Sequence, residues 1–270
     1  MRSATAVCLA LALCIAPAAR ADDSAATARY ELIAYIWGTS LAQKIDTGEG
    51  QVSTHISFSE LFEHLSGALQ VHGRGEWGPW SVDVDGMYAK LRGENQSKTV
   101  RLGPQGGIQI GAEVKSRLDE WIVEVTGGYR VFEVGSLFSR RPSDSRRVRG
   151  EVYLGARYWS IDPKITVQVN ATRVRIGDQT EWVDPLVGLR FGIDLSSTVM
   201  MLIGGDVGGF DLGNYSSEFT WSQITSLSWR VSDSMKLYVG YKFLDVHQNS
   251  GDLDTRMQTR GPFIAAGYVF

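Results

Sequence analysis

Trp80-Ser81-Val82-Asp83-Val84-Asp85-Gly86-Met87-Tyr88 alternates with a period of two. In an extended chain, successive side chains point to opposite faces, so Trp80, Val82, Val84 and Tyr88 share one side and Ser81, Asp83, Asp85 and Met87 the other. At 121–131, Trp121, Val123, Val125, Tyr129 and Val131 oppose Ile122, Glu124, Thr126, Gly128 and Arg130. At 164–173, Ile165, Val167, Val169 and Ala171 oppose Lys164, Thr166, Gln168, Asn170 and Thr172; at 236–243, Leu237, Val239, Tyr241 and Phe243 oppose Lys236, Tyr238, Gly240 and Lys242. One apolar face and one polar face on each strand is the signature of a sheet that is wet on one side only.

Turn residues punctuate these runs at Gly78-Pro79, Leu118-Asp119, Asp162-Pro163, Ser196-Ser197 and Ser232-Asp233-Ser234. Longer polar stretches at 93–97, 135–147, 177–181, 211–216 and 248–256 alternate with them, which places tight turns at one end and long loops at the other. The pattern predicts about twelve strands, near 29–42, 67–77, 80–92, 104–116, 120–134, 148–160, 164–176, 182–194, 197–210, 217–231, 235–247 and 257–270. The connection 43–66 holds a candidate short strand at 51–57 and an amphipathic turn of helix at Ser59–Leu65.

Composition narrows the class. The chain has 270 residues, 43% of them hydrophobic and 21% charged, too apolar for a disordered protein and without the long apolar runs of a helical membrane protein. With 27 basic against 30 acidic residues it has no excess positive charge for neutralising phosphates, which argues against nucleic acid as a partner. Residues 1–21 read as a cleavable secretory signal: Arg2, then the apolar run Ala4–Ile15, Pro17, and Ala19-Arg20-Ala21 before a cut at Asp22. Residues 22–270 form a single domain. Both cysteines, Cys8 and Cys14, leave with the signal, so the mature chain has neither disulfides nor thiolate metal sites, and no cofactor is expected.

A soluble sandwich and a membrane barrel both fit the alternation. Aromatic residues near strand ends favour the barrel: Trp37, Trp77, Trp80, Trp121, Tyr158, Trp182, Phe219, Trp221, Trp229 and Tyr268 would form girdles at the two edges of an apolar band. The fold class is therefore all-β, an antiparallel up-and-down transmembrane barrel with short periplasmic turns and longer outer loops. The last stretch, Gly261-Pro262-Phe263-Ile264-Ala265-Ala266-Gly267-Tyr268-Val269-Phe270, places Ile264, Ala266, Tyr268 and Phe270 on one face. It resembles the terminal strand of bacterial outer-membrane β-barrel proteins. Asp184-Pro185-Leu186-Val187-Gly188-Leu189-Arg190, Gly205–Phe210 and Gly240–Val246 are similar to a group of proteobacterial outer-membrane proteins of unassigned function. The resemblance implies an outer-membrane location, contact with outer-membrane lipids and lipopolysaccharide, and recognition by the barrel-assembly machinery through Tyr268 and Phe270.

On that fold the lumen carries Arg74, Asp83, Asp85, Glu124, Arg130, Glu151, Arg157, Asp184, Arg190, Asp206, Arg230 and Lys242, with His72, Glu76, Glu113, Lys115, Lys164 and Lys236 on the same parity. Both signs in a narrow space must pair or be hydrated. A wet path makes a narrow passive channel for small solutes or ions; a fully paired network makes a structural envelope protein. An Arg190–Asp206 contact is expected across the turn at 196–197. The Arg-rich segment 140–149 could meet lipopolysaccharide phosphates from a long outer loop or be a solvated loop. Gly204, Gly205, Gly208 and Gly209 read as strand glycines at bends or close packing, not as a phosphate cradle.

An enzyme is not expected, and no catalytic or metal residues are assigned: HExxH and GxSxG are absent. The alternative is an outer-leaflet lipid hydrolase built on Asp245, His247, Asn249 and Ser250. Their order departs from the His-x-Ser-Asn-Gly pattern of outer-membrane phospholipases.

Overall fold

A computed structural model describes residues 28–46, 51–57, 59, 63, 65–102, 108–135, 146–169, 172–176, 179–213, 216–250 and 253–270. The strands are β1 (Arg29–Trp37), β2 (Ser40–Asp46), β3 (Gln51–Ile56), β4 (Leu65–Trp77), β5 (Trp80–Leu102), β6 (Ile108–Gly135), β7 (Arg147–Val169), β8 (Thr172–Ile176), β9 (Thr180–Asp194), β10 (Val199–Gly209), β11 (Phe219–Arg230), β12 (Met235–Ser250) and β13 (Leu253–Val269). Ten of them close an antiparallel ring in the order β1-β4-β5-β6-β7-β9-β10-β11-β12-β13, and β13 returns to β1 from Glu31↔Val269 to Trp37↔Phe263. Closure leaves the ring no free edge. The other three lie outside it: the β2–β3 hairpin pairs with the far end of β13, and β8 with the far end of β7.

The ring has ten strands where the punctuation predicts about twelve. Leu118-Asp119 and Asp162-Pro163 are not turns. They face each other in the β6–β7 ladder as Leu118↔Pro163 and Asp119↔Asp162, and both strands run straight through. A proline is tolerated there because β7 has a neighbour on one side only: pairing with β9 ends at Ile161, and pairing with β8 begins at Ile165. Residues 93–97 likewise belong to β5, which pairs with β6 as far as Leu102↔Ile108. The turns at Gly78-Pro79, 195–198 and 231–234 stand as expected, all at one end of the ring.

Losing two turns moves the Arg-rich segment. β6 ends and β7 begins at the turn end, where Arg147 N donates to Asp194 at 2.9 Å and Arg149 bonds the same carboxylate. The segment is therefore attached opposite to the end expected for an outer loop; 136–145 fall outside the described residues. The candidate strand 51–57 is realised as β3, in a hairpin beside the ring, while most of Ser59–Leu65 lies outside the described residues.

The faces follow the alternation. Leu32, Leu69, Val125, Leu154, Val187, Leu227, Val239 and Ile264 point out and are exposed. They come from β1, β4, β6, β7, β9, β11, β12 and β13, so the apolar belt runs nearly all the way round. Lys164 departs from the expected parity: it pairs in register with Arg117 on the outside, bonded to Asp162 at 2.5 Å.

Candidate functional site: the barrel interior

Inward residues sort by height into three layers. At the turn end lies a cavity of about 580 Å³, reached between Gly78-Pro79 and Ser196–Thr198. Above it is a belt of ion pairs, and above that an apolar layer.

The belt has two centres. In the first, Arg74 binds Asp83 at 2.8 Å and Glu151 at 2.6 Å, and Arg190 binds the same two carboxylates at 2.9 and 3.1 Å. Four residues from β4, β5, β7 and β9 are thereby tied across the lumen, not only along neighbouring strands. Arg190 also lies 4.9 Å from the ring centre of Tyr153, a cation–π contact. His72 bridges Asp83 and Asp85, and Asp85 further meets Lys242 at 3.5 Å and accepts from Tyr35 Oη at 2.9 Å. In the second centre Arg157, almost wholly buried, binds Glu124 at 2.7 Å and Asp206 at 2.9 Å. Ser222 Oγ donates to Asp206 at 2.5 Å. Arginine suits both places because its planar fork serves two carboxylates at once.

The expected Arg190–Asp206 contact does not form. The register places Asp206 opposite Gly188 and Gly204 opposite Arg190, and each charge finds a nearer partner across the lumen. Arg130 sits at the rim, bonded to Glu133 and to the Gly78 carbonyl. Arg230 lines the cavity mouth. Glu113 and Lys115 carry side chains outside the described residues.

Asp184 does different work from the other carboxylates. It is fully buried, and its oxygens accept from Trp159 Nε1 at 2.8 Å, Trp182 Nε1 at 3.2 Å and the backbone N of Ser217 at 2.6 Å. It pins two stacked indoles, their ring centres 5.4 Å apart, and the connection entering β11. That connection turns back through Gly209, Phe210, Asp211 and Gly213, all at positive φ.

Trp159 and Trp182 belong to the apolar layer, with Trp37, Met87, Ile122, Leu244, Val246, Met257 and Phe263, all buried. They come from seven of the ten ring strands. The remaining side is filled by Asp184, Ser217 and Thr220, all buried. Trp37 and Trp182 therefore do not join the girdle expected of them, whereas Trp77, Trp80, Trp121, Phe219, Trp229 and Tyr268 are exposed. Tyr35, Tyr153, Thr220 and Ser222 are interior partners without a distinguishing motif; their one signal is sharing parity with the interior charges.

At the far end, Asp245 and His247 share the outer face and do not meet. Arg256 and Gln258 hold Asp245 at 3.1 and 3.0 Å, and His247 faces Glu218 at 3.2 Å. The side chains of Asn249 and Ser250 lie outside the described residues. Among the described residues no group of three or more His, Cys, Asp or Glu is placed to hold a metal.

No family model matches the chain, and no curated protein matches it. Solved structures to which it is similar are outer-membrane β-barrels. The outer membrane protease OmpT from Escherichia coli has 8% identity over 91% of this chain and 97% of that one, with a TM-score of 0.48. The translocator domain of the autotransporter NalP from Neisseria meningitidis has 12% identity, 88% of each chain and 0.39. The Pseudomonas putida toluene transporter TodX has 8% identity, 92% and 90%, and 0.32.

Proposed function

We propose that the chain is an outer-membrane barrel closed by its own side chains, a structural envelope protein and not an open solute channel. The belt of outward apolar residues supports the membrane. On β5 the outward run from Trp80 to Tyr88 spans eight residue steps, roughly 26 Å at about 3.3 Å each and about 20 Å along the axis at a tilt near 40°. That is close to the apolar height of an outer-membrane barrel, and charged residues take over the outer face above it at Lys90, Arg117 and Asp119. The turn end then faces the periplasm. The observation that carries closure is the buried layer around Trp159 and Trp182, since inward side chains of an open lumen would be wet.

Conductance of the purified protein in planar bilayers tests the proposal. The wild type should give a flat baseline, and a Trp159→Ala/Trp182→Ala variant that migrates as a folded barrel should give steps. Ohmic steps from the wild type would overturn it.

A further inference from the structure

We propose that the turn-end cavity binds an amphiphilic anion: a short alkyl or aryl group carrying one carboxylate, sulfate or phosphate. A volume of about 580 Å³ falls in the range of small-molecule sites. Its lining is divided. On the side built by β1 and β10–β13, Ile33, Leu202, Ile224 and Phe263 give apolar patches, interrupted by Glu31, Lys236, Tyr238 and Lys242. On the side built by β4, β5, β7 and β9 the lining is the ion-pair belt.

The charge does not balance. Nine Arg and Lys line the cavity against six Asp and Glu. Lys242, deeper in the cavity, is engaged with Asp85, and Lys236, near the mouth, with Glu31 at 2.6 Å. The surplus is at the mouth. Arg29 stands opposite Glu76 in register, but Glu76 is already held by Arg74 at 2.7 Å. Arg230 pairs in register with Lys236, a like charge. Both guanidinium groups are exposed, and among the described residues neither has an ion-pair partner.

A ligand entering from the turn side can leave its anionic head between Arg29 and Arg230 while its apolar body lies along Ile33, Leu202 and Ile224. Each guanidinium offers charge-assisted hydrogen bonds to such a head group. The site does not depend on closure of the upper layer, so it stands or falls separately from the conductance result.

Titration calorimetry of the full barrel in lipid nanodiscs, with hexyl sulfate as probe and empty nanodiscs as blank, tests it. The expected result is one saturable site, with inorganic sulfate and hexanol each at least about tenfold weaker. Arg29→Gln/Arg230→Gln should weaken hexyl sulfate by a similar factor. Ile224→Trp, which fills the apolar wall and keeps both arginines, should do so too, and Leu202→Phe serves where Ile224→Trp fails to give the heat-modifiable folded form. No saturable heat above the blank, sulfate binding as tightly as hexyl sulfate, or unchanged affinity in the double arginine variant would each overturn the proposal.

Discussion

Arg157 has given up nearly all its contact with water, and Asp206 beside it is as deeply buried. Such a pair is costly to break from one side, because the remaining charge has neither water nor partner. Arg157→Ala should therefore destabilise by about 3–5 kcal/mol, read by urea unfolding in micelles. A double-mutant cycle of Arg157→Ala with Asp206→Ala should show coupling of about 0.5–3 kcal/mol, while Arg190→Ala with Asp206→Ala should be closer to additive. Equal coupling in both cycles would contradict the pairing. At this scale the sequence was legible as parity and no further. Alternation places Arg157, Arg190 and Asp206 inside, but partners are chosen across the lumen by ring size and register, which period two does not encode. Met87 and Ile122 carried the missed signal: each interrupts a polar face, and both lie in the dry layer.

At the scale of elements, β7 shows what close packing demands. A Cβ at Gly155 would stand 2.0 Å from the Val125 carbonyl oxygen of β6, and a backbone atom cannot step aside. Gly155→Ala should cost about 1–3 kcal/mol by overpacking, measured as a drop in thermal stability, whereas Gly135→Ala should be mild, since nothing lies within 4 Å there. The connection into β11 depends on Asp184, and Asp184→Ala would leave three buried N–H groups unsatisfied. Tryptophan emission should then shift to longer wavelength as water reaches Trp159 and Trp182; an unchanged spectrum would deny the anchoring role. Strand parity, Lys164 aside, and three of five turns were readable in advance. The two false turns were not, because Leu118-Asp119 and Asp162-Pro163 carry turn residues yet are held extended by each other. Local chemistry permits a turn at those sites, and tertiary pairing decides against it.

For the whole molecule, the medium on either side of the wall is the quantity to test. Ile203 faces out and Leu202 faces the wet cavity, one residue apart on β10. Ile203→Arg should cost about 2–4 kcal/mol near the bilayer midplane, and Leu202→Arg about 1 kcal/mol or less, because its head reaches water. Similar costs would mean that no apolar medium surrounds the belt. Deleting Phe270 removes its hydrogen bond to the Tyr30 carbonyl and should reduce the heat-modifiable form in outer-membrane fractions; full assembly of the deletion would deny Phe270 a part in assembly.

Phe270 N donates to the Tyr30 carbonyl at 2.9 Å, so the seam between first and last strands is hydrogen-bonded like any other. The ring thus has no privileged place to be cut. A circular permutant that joins residue 270 to residue 29 by a short linker and opens at Ser232–Ser234 would retain every ladder of the ring. Such a chain should refold from urea in micelles to the same heat-modifiable form, the order of strands along the sequence being immaterial once the ring is closed; failure to refold would mean that this seam is not equivalent to the other ladders.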